Sequence, residues 1–529
     1  MDSFQLIVLV LLLLAVADLI VGVSNDAANF LNSAIGSRVA SRRIILTVAS
    51  LGVLLGALSS SGMMEIARKG VFDPSYFSFA DVMVIFLAVM LADILLLDIY
   101  NSFGLPTSTT VSIVFEMLGA AVMVGWLKLM TGSTTAASLA EMINTSSLGR
   151  IVGGIFLSVI IAFTVGSLVM WATRLFFTFH MEDRMRRWGA PFAGLAISII
   201  VFFMLVKGLK ETDLMKGGFG LWVNAHIVRV MAGVFTVVSA CCWWLQHRFR
   251  VDPLRIVVLT GTFSLAMAFA GNDLVNFIGV PITGLQSFQL WMASGVEADA
   301  YMMDAMAKAV RTPSYLLYIA GGVMVLTLWF SAKARKVSST EVDLARKGEG
   351  EERFRSNLLA RMLVRRATQA GDLFNRLLGR RSKVLLNKRF RSHGVEQREG
   401  ASFDLLRAAM NLMVSSLLIA AATKLKLPLS TTFVTFMVAM GTSLADRAWG
   451  ADTAAQRVAG VLNVIGGWLL TAVLAFGGAA LMASLIYWGG NWAGIALFVL
   501  VSTYLLRSHM PRRLRSAGTD GSAADPVGA

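Results

Sequence analysis

The sequence predicts an all-α protein that crosses a membrane many times, and three observations lead to this fold class. Hydrophobic residues make up 56% of the 529 residues and charged residues only 15%, whereas a soluble domain carries about 25% charged residues. Long apolar runs lack the alternation of a membrane strand. Such runs must be helical, because each unpaired backbone group in lipid costs several kcal/mol. At about 20 residues plus a loop per crossing, the length allows about 12 transmembrane helices.

Apolar runs of helical length recur along the whole chain. The first reaches from Met1 to Ile20 and has neither a basic start nor a small-residue cleavage site, so we predict a retained helix rather than a signal peptide. The further runs lie at 44–61, 82–100, 111–130, 150–175, 192–209, 221–246, 254–270, 313–332, 405–423, 433–445, 457–486 and 491–506.

Basic residues predict which side of the membrane is cytoplasmic. Arg and His clusters lie beside the runs at 38–43, 184–187 and 247–255, and short loops rich in Lys and Arg stay inside the cell. An even number of predicted crossings separates the clusters, so all three lie on the same side of the membrane. The first helix then runs from outside to inside, with the N-terminus outside.

One polar segment of domain length interrupts the apolar runs. Residues 333–403 carry 18 Lys and Arg against 8 Asp and Glu, and we predict that they form a basic cytoplasmic insert. Residues 508–529 begin with basic residues, continue with Gly, Ala and Ser, and are predicted to form a disordered cytoplasmic tail. Because the net charge of +15 is concentrated in such loops, it indicates orientation in a lipid bilayer and no nucleic-acid partner.

Two short motifs each occur twice, in the same order. The pattern Asn-Asp-x-x-Asn-Phe begins at Asn25 and again at Asn272, and the pattern Leu-Pro-x-Ser-Thr-Thr begins at Leu105 and again at Leu427. A glycine 11 residues after each motif serine extends the match. Self-similarity of this kind predicts an internal structural repeat.

The spacing of the motifs predicts two related halves of opposite orientation. Asp26 precedes Ser108 by 82 residues and Asp273 precedes Ser430 by 157, and the 71-residue insert accounts for most of the difference. Seven crossings separate the two Asn-Asp helices, which must therefore run in opposite directions. Inverted repeats with polar, interrupted helices are typical of secondary transporters.

This repeat divides the chain into six segments. They are the first repeat at 1–130, connecting helices at 131–253, the first part of the second repeat at 254–332, the insert at 333–403, the rest of the second repeat at 404–507, and the tail at 508–529.

The Asn-Asp motifs predict a cation site. A carboxylate within a membrane span costs at least ~2.5–3.5 kcal/mol at the helix centre, so it needs a cation, a proton or a donor nearby. The side-chain oxygens are hard ligands that suit an alkali cation. A plain hydrogen-bond network is the alternative for one motif, but its repetition favours a shared site. The predicted cation ligands are Asn25, Asp26, Asn272 and Asp273.

The Ser-Thr-Thr motifs predict an anion site. Pro106 and Pro428 cannot continue a helix but suit its first positions, so a helix is expected to begin inside the membrane after each proline. A helix N-terminus carries about half a positive charge and several free N–H groups, which together attract an anion. Ordinary capping at a membrane surface is the alternative. Two such ends facing each other would surround a tetrahedral oxyanion.

Charge balance between the two motifs predicts symport. An anion beside Asp26 and Asp273 would be repelled unless cations or protons neutralised the carboxylates. Three further acids lie in spans, Asp93, Asp98 and Glu116, and their offsets in the second half hold no acid. This asymmetry argues against a shared site, but Glu116 is a candidate coupling or proton-carrying group.

The doubled motifs resemble those of the PiT family of inorganic phosphate transporters, over nearly all of the membrane part. The resemblance implies cation-coupled phosphate uptake, usually with Na⁺ and sometimes with protons. It also implies about 12 helices with two re-entrant hairpins, a homodimer in a bacterial-type inner membrane, and a large cytoplasmic loop between the halves.

The resemblance also implies roles for the motif residues. The phosphate ligands would be Ser108, Thr109, Thr110, Ser430, Thr431 and Thr432, completed by Asn29 and Asn276. Na⁺ would bind at Asp26 and Asp273. A His often follows Ser-Thr-Thr in relatives, but this chain has Val111 and Phe433 there, which leaves the coupling ion open between Na⁺ and H⁺.

Other functions are less well supported by the sequence. A symporter for sulfate or another oxyanion would share the same build, although phosphate keeps a proton near neutral pH that a carboxylate can accept. An ion channel or membrane scaffold could use the polar helices for packing. No P-loop, nucleophile arrangement or metal-ligand spacing suggests an enzyme, and no cofactor is expected beyond the transported cation.

Overall fold

The structure is a computed structural model. It describes residues 3–60, 70–104, 107–204, 217–307, 313–345, 357–362, 364–366, 369, 384, 389–390, 401–425, 427, 429–447 and 454–509.

Helices account for most of the described chain. They are α1 (Ser3–Gly36), α2 (Arg42–Ser59), α3 (Phe79–Phe103), α4 (Thr109–Thr131), α5 (Leu139–Met142), α6 (Thr145–Phe177), α7 (Glu182–Phe203), α8 (Gly218–Ala225), α9 (Ile227–Phe249), α10 (Pro253–Ser294), α11 (Ser314–Phe330), α12 (Ala332–Ala345), α13 (Leu405–Lys424), α14 (Thr431–Ala445) and α15 (Ala454–His509). Short 3-10 helices lie at Pro74–Tyr76 and Asp304–Ala307.

The predicted all-α membrane fold is confirmed. Among the described residues, ten helices are long and apolar enough to cross a membrane, and α11 and α14 are shorter apolar helices. The long final helix α15 turns at Gly490, which has a φ of 67°, a conformation that glycine adopts without strain. The chain is therefore a multi-pass membrane protein.

The two Asn-Asp motifs lie within unbroken helices. The first apolar run ends near Ile20 and the run at 254–270 ends before the second motif, yet α1 continues to Gly36 and α10 to Ser294. A helix satisfies its own backbone hydrogen bonds, and here the polar side chains find partners on neighbouring helices.

The helical interruptions lie instead in front of the Ser-Thr-Thr motifs. Helix α3 ends at Phe103 and is capped by Gly104, which has a left-handed φ of 68°, and α4 begins five residues after that glycine. Helix α13 ends at Lys424 and α14 begins at Thr431. Pro106 and Pro428, which predicted these helix starts, lie outside the described residues. The re-entrant path of the two helix pairs stays a prediction.

The helix that follows each Ser-Thr-Thr motif packs against a helix from a distant part of the chain. Helix α4 packs against α15, and α14 packs against α6. The two motif glycines lie at these crossings: a Cβ on Gly119 would lie 2.1 Å from the Phe476 carbonyl oxygen, and a Cβ on Gly441 would lie 2.3 Å from that of Phe163. Both glycines thus allow the same close approach of helix backbones.

The basic clusters lie at one end of the bundle. The Ser402 N–H donates to the Gly36 carbonyl at 2.7 Å, and Gln246 donates to the Met185 carbonyl at 3.2 Å. Arg174, near the end of α6, pairs with Asp404 just before α13, so the ends of α1 and α9 and the starts of α7 and α13 lie together at this basic end.

Aromatic side chains close the opposite end. Phe79 stacks on Trp291 with ring centroids 4.6 Å apart, and Phe4 contacts both rings. Since Phe4 begins α1 and Trp291 lies near the end of α10, the two motif helices run in opposite directions.

The predicted insert does not begin as a separate polar segment. Its first residues form α12, which packs against α1, and Val337 and Ala334 are buried. Lys333 pairs with Asp98 at 2.5 Å, and Ser508 of α15 donates to the same carboxylate at 2.8 Å. Most of the remaining insert, and tail residues 510–529, lie outside the described residues.

The glycine crossings give a test of the packing. Gly119→Ala and Gly441→Ala should each lower the free energy of unfolding by about 1–3 kcal/mol, as overpacking does. Gly477→Ala on α15 is the control, because nothing lies within 4 Å of its added Cβ. Thermal unfolding in detergent, followed by tryptophan fluorescence, measures the difference. Equal stability of Gly119→Ala and Gly477→Ala would contradict this packing.

Candidate functional site

The two motif carboxylates lie opposite each other in the middle of the bundle. Helices α1 and α10 cross here: a Cβ on Gly22 would lie 2.1 Å from the Phe277 ring, and the Phe30 and Phe269 rings are 5.1 Å apart. Between these contacts lie Asp26 and Asp273, both with no exposed surface. The antiparallel crossing therefore brings the two Asn-Asp motifs together.

Each Ser-Thr-Thr motif begins a helix. The Ser108 hydroxyl oxygen accepts from the Val111 N–H at 3.1 Å, and Ser430 accepts from the Phe433 N–H at 3.1 Å. This capping uses one hydroxyl lone pair and leaves the hydroxyl proton able to donate to a ligand. The first N–H groups of both helices have no intrahelical acceptor. Two positively polarised helix ends result.

Asp26 joins both helix starts. Its two carboxylate oxygens accept from the Thr109 hydroxyl of α4 at 2.9 Å and from the Thr432 hydroxyl of α14 at 3.2 Å. Asp273 accepts a hydrogen bond from the Thr431 hydroxyl. A single carboxylate of the first motif is thus bonded to the helix starts of both halves.

The last Asn of each motif crosses to the opposite half. The Asn29 amide donates to Thr431 at 3.3 Å and to Thr432 at 3.1 Å. The Asn276 amide donates to the hydroxyls of Thr109 at 3.4 Å and Thr110 at 3.0 Å. The last Asn of the first motif thus bonds the second helix start, and the last Asn of the second motif bonds the first helix start.

The first Asn of each motif binds the chain that precedes a helix start. The Asn25 oxygen accepts from the Thr107 N–H at 3.1 Å, and the Asn272 amide donates to the Leu429 carbonyl at 3.0 Å. The Asn272 oxygen also accepts from Thr423. The predicted cation ligands Asn25 and Asn272 therefore have their oxygens engaged by protein donors, and they position the two non-helical segments.

The centre of the site is negatively charged. Of the ion pairs formed by the described residues, none includes Asp26 or Asp273. The described residues that donate hydrogen bonds to the two carboxylates do so through hydroxyls and amides. Since burial penalises an isolated carboxylate, the site favours binding of a cation or a proton.

Glu116 does not join this central cluster. It lies on α4 two turns beyond Ser108 and accepts from the Ser112 hydroxyl at 2.7 Å. Sequence reasoning also overlooked Asp18, an acid within the first apolar run, and Asn101, which donates to the Val21 carbonyl at 2.8 Å. In the sequence, each of the two is a polar residue within or beside an apolar run and belongs to no repeated motif.

A small polar cavity adjoins the site on the side of the basic end. It has a volume of about 20 Å³, which is room for about one water molecule. The polar side chains that line it are those of Asn29, Asn32, Ser33, Asn411, Ser415 and Thr435. The aromatic end of the bundle lies on the opposite side, so the site is enclosed in this conformation.

Comparisons with known proteins agree with this architecture. A family model described as the phosphate transporter family matches residues 22–339. Proteins named as phosphate permeases in Pyrococcus abyssi and Pyrococcus furiosus are 30% and 26% identical over 270 and 285 residues, which is 48% and 52% of this chain. These alignments cover 61% and 64% of the relatives, so the chain spans about three fifths of their length.

A solved structure shares the fold. It is that of a sodium-dependent phosphate transporter, with a TM-score of 0.65 and 18% sequence identity, and the superposition covers 91% of this chain and 99% of that one. At this identity the match establishes the fold alone.

The crossed amide contacts can be tested directly. Asn29→Ala and Asn276→Ala each remove two neutral hydrogen bonds, and each should lower the free energy of unfolding by about 1–3 kcal/mol. Asn491→Ala removes only a contact with Ser3 and is the control. Chemical unfolding in detergent measures the difference. Site variants as stable as Asn491→Ala would show that these contacts do not hold the halves together.

Proposed function

The chain belongs to the phosphate transporter family, and on this premise we propose that it imports inorganic phosphate by symport with Na⁺. The match confirms the family resemblance predicted from the doubled motifs. It also agrees with the prediction of a transporter rather than an enzyme. The observation that carries the proposal is the hydrogen bonding of Asp26 to both helix starts, Thr109 of α4 and Thr432 of α14.

The helix starts supply the donors for a tetrahedral oxyanion. Ser108 and Ser430 cap their helices through oxygen, so their protons, together with free N–H groups of the first turn, can donate to a phosphate between them. Thr109, Thr110, Thr431 and Thr432 would exchange their present acceptors for phosphate oxygens, and Asn29 and Asn276 would complete the shell.

The carboxylates require that the anion enters with cations. Asp26 and Asp273 would repel phosphate in a site of low dielectric constant. Na⁺ at the two carboxylates would neutralise them and attract the anion, so neither substrate binds well alone. Asn25 and Asn272 act in this scheme by holding the segments before the helix starts.

Phosphate fits the mixed donors and acceptors better than sulfate. Phosphate keeps one or two protons near neutral pH and can donate to a carboxylate such as Asp26, whereas sulfate can only accept. Competition by sulfate and arsenate separates a phosphate transporter from a general oxyanion transporter. Saturable accumulation driven by a gradient separates either from a channel or scaffold.

We also propose an orientation in the inner, or plasma, membrane. The basic end of the bundle, including the loop 38–43 and the start of the insert, would face the cytoplasm, because Lys and Arg stay inside. The N-terminus and the aromatic end would lie outside. The homodimer implied by the family resemblance stays a prediction.

Serine variants separate phosphate binding from helix capping. Ser108→Ala and Ser430→Ala should each weaken phosphate binding roughly fivefold, the equivalent of about 1 kcal/mol for one neutral hydrogen bond. Ser78→Ala is the matched control, because Ser78 also caps a helix and is buried but lies far from the site. Isothermal titration with phosphate in saturating Na⁺ measures the affinity. An equal loss in all three variants would refute the assignment of the serines as phosphate ligands.

Aspartate variants test the coupling. Asp26→Asn and Asp273→Asn should each reduce Na⁺-driven phosphate uptake roughly tenfold or more, since hydrogen bonds and contacts to a charged group contribute about 1.5–3 kcal/mol. The assay is radiolabelled phosphate uptake into proteoliposomes, with Na⁺ and proton gradients imposed separately. Asp299→Asn, at an exposed loop residue, should transport like the parent. Variants that keep full Na⁺-driven uptake would exclude the carboxylates as the coupling site.

A further inference from the structure

A second set of buried acids lies in the first half of the protein. Asp18 of α1, Asp93 of α3 and Glu116 of α4 are 0%, 1% and 0% exposed. By the spacing of the doubled motifs, Ser415 and Val438 occupy the positions of the second half that correspond to Asp93 and Glu116. The set therefore belongs to one half only, unlike the doubled motifs.

The three carboxyl groups meet around Asp93. Its carboxyl lies beside the carboxyl groups of Asp18 and Glu116. Ser112 donates to one Glu116 oxygen at 2.7 Å. Both oxygens of Asp18, both oxygens of Asp93 and the second oxygen of Glu116 are buried and accept no hydrogen bond from a donor among the residues that the structure describes.

No basic group in the described part of the chain balances these acids. Among the described residues, none of the ion pairs reaches the three carboxyl groups. The other acid of α3 in this region, Asp98, is paired with Lys333. The charged group that faces the set from α1 is Asp26, which itself faces Asp273 of α10. Helix α15 packs on α3 and α4 through Ala475 and Thr471, which are uncharged.

We propose that Asp18, Asp93 and Glu116 form a proton-binding site that takes up and releases a proton in each transport cycle. This inference rests on the proposed function. On uptake an O–H bond forms at one carboxylate with a proton taken from water. On release that bond breaks and the proton returns to water on the other side.

The arrangement favours a proton over a metal ion. Carboxyl groups at hydrogen-bonding distance cannot all be ionised, and a shared proton stabilises their contact. A metal ion would instead stand between the oxygens, and the described residues contain no group of three His, Cys, Asp or Glu side chains arranged to hold one.

Two helices connect this site to the central carboxylates. Asp18 precedes Asp26 on α1 by eight residues, about 12 Å along a helix. On α4, Thr109 bonds Asp26 while Ser112, one turn further, bonds Glu116. A proton at Asp93 removes one negative charge near Asp26, so proton occupancy changes the affinity of the central site for cations.

Proton movement in proteoliposomes tests the proposal. Asp93→Asn and Glu116→Gln should acidify the lumen less per phosphate taken up than the parent does, measured with a trapped pH dye, because only the proton carried by phosphate itself still enters. They should retain Na⁺-driven phosphate uptake that no longer depends on external pH. Glu141→Gln, an exposed acid, should match the parent in both assays. Variants that acidify the lumen as much per phosphate as the parent does and keep the parental pH profile would overturn the proposal, and so would variants that lose Na⁺ dependence instead.

Infrared spectroscopy on the purified parent covers the case in which the variants fail to fold or the parent fails to transport phosphate. A buried protonated carboxyl has a carbonyl stretch that disappears as it ionises. We expect such a band without phosphate present, and it should persist in Asp26→Asn and Asp273→Asn. Absence of the band at every pH would overturn the proton site. A band in a parent that does not transport phosphate would refute the proposed function and leave the site standing.

Discussion

The structure depends on two buried carboxylates that the protein does not neutralise with a basic side chain in its described part. Asp26 and Asp273 face each other across antiparallel helices, and hydroxyls at two helix starts satisfy them. A buried charge held only by neutral donors is costly. That cost favours a cation or a proton at the centre of the bundle, which is the basis of the symport that we propose.

The helices around this centre have two different roles. Helices α1 and α10 stay continuous, so their polar side chains are held on fixed backbones, while α4 and α14 begin at the centre and direct free N–H groups toward it. Close crossings at Gly119 and Gly441 fix the angle of both helix starts. The same local chemistry is thus built twice, and each half completes the site of the other.

Much of this was accessible from the sequence because the motifs were doubled. The pairing of Asn-Asp with Ser-Thr-Thr predicted which residues meet, and the basic clusters predicted a common end. The continuity of α1 past Ile20 was not predicted, because hydropathy cannot show that Asn25 and Asn29 have partners on other helices. Asp18 was overlooked for a related reason: a single acid in an apolar run shows no partner until tertiary contacts bring Asp93 beside it.

A structure of the protein with Na⁺ and arsenate tests the central claim most directly, because the anomalous signal of arsenic locates the anion without reference to a starting model. We expect one arsenic peak between the helix starts, within hydrogen-bonding distance of Ser108 and Ser430 and beside the Asp26 carboxylate. A peak elsewhere in the bundle, or a peak between the helix starts that persists at full strength when all Na⁺ is removed and protons are scarce, would contradict it.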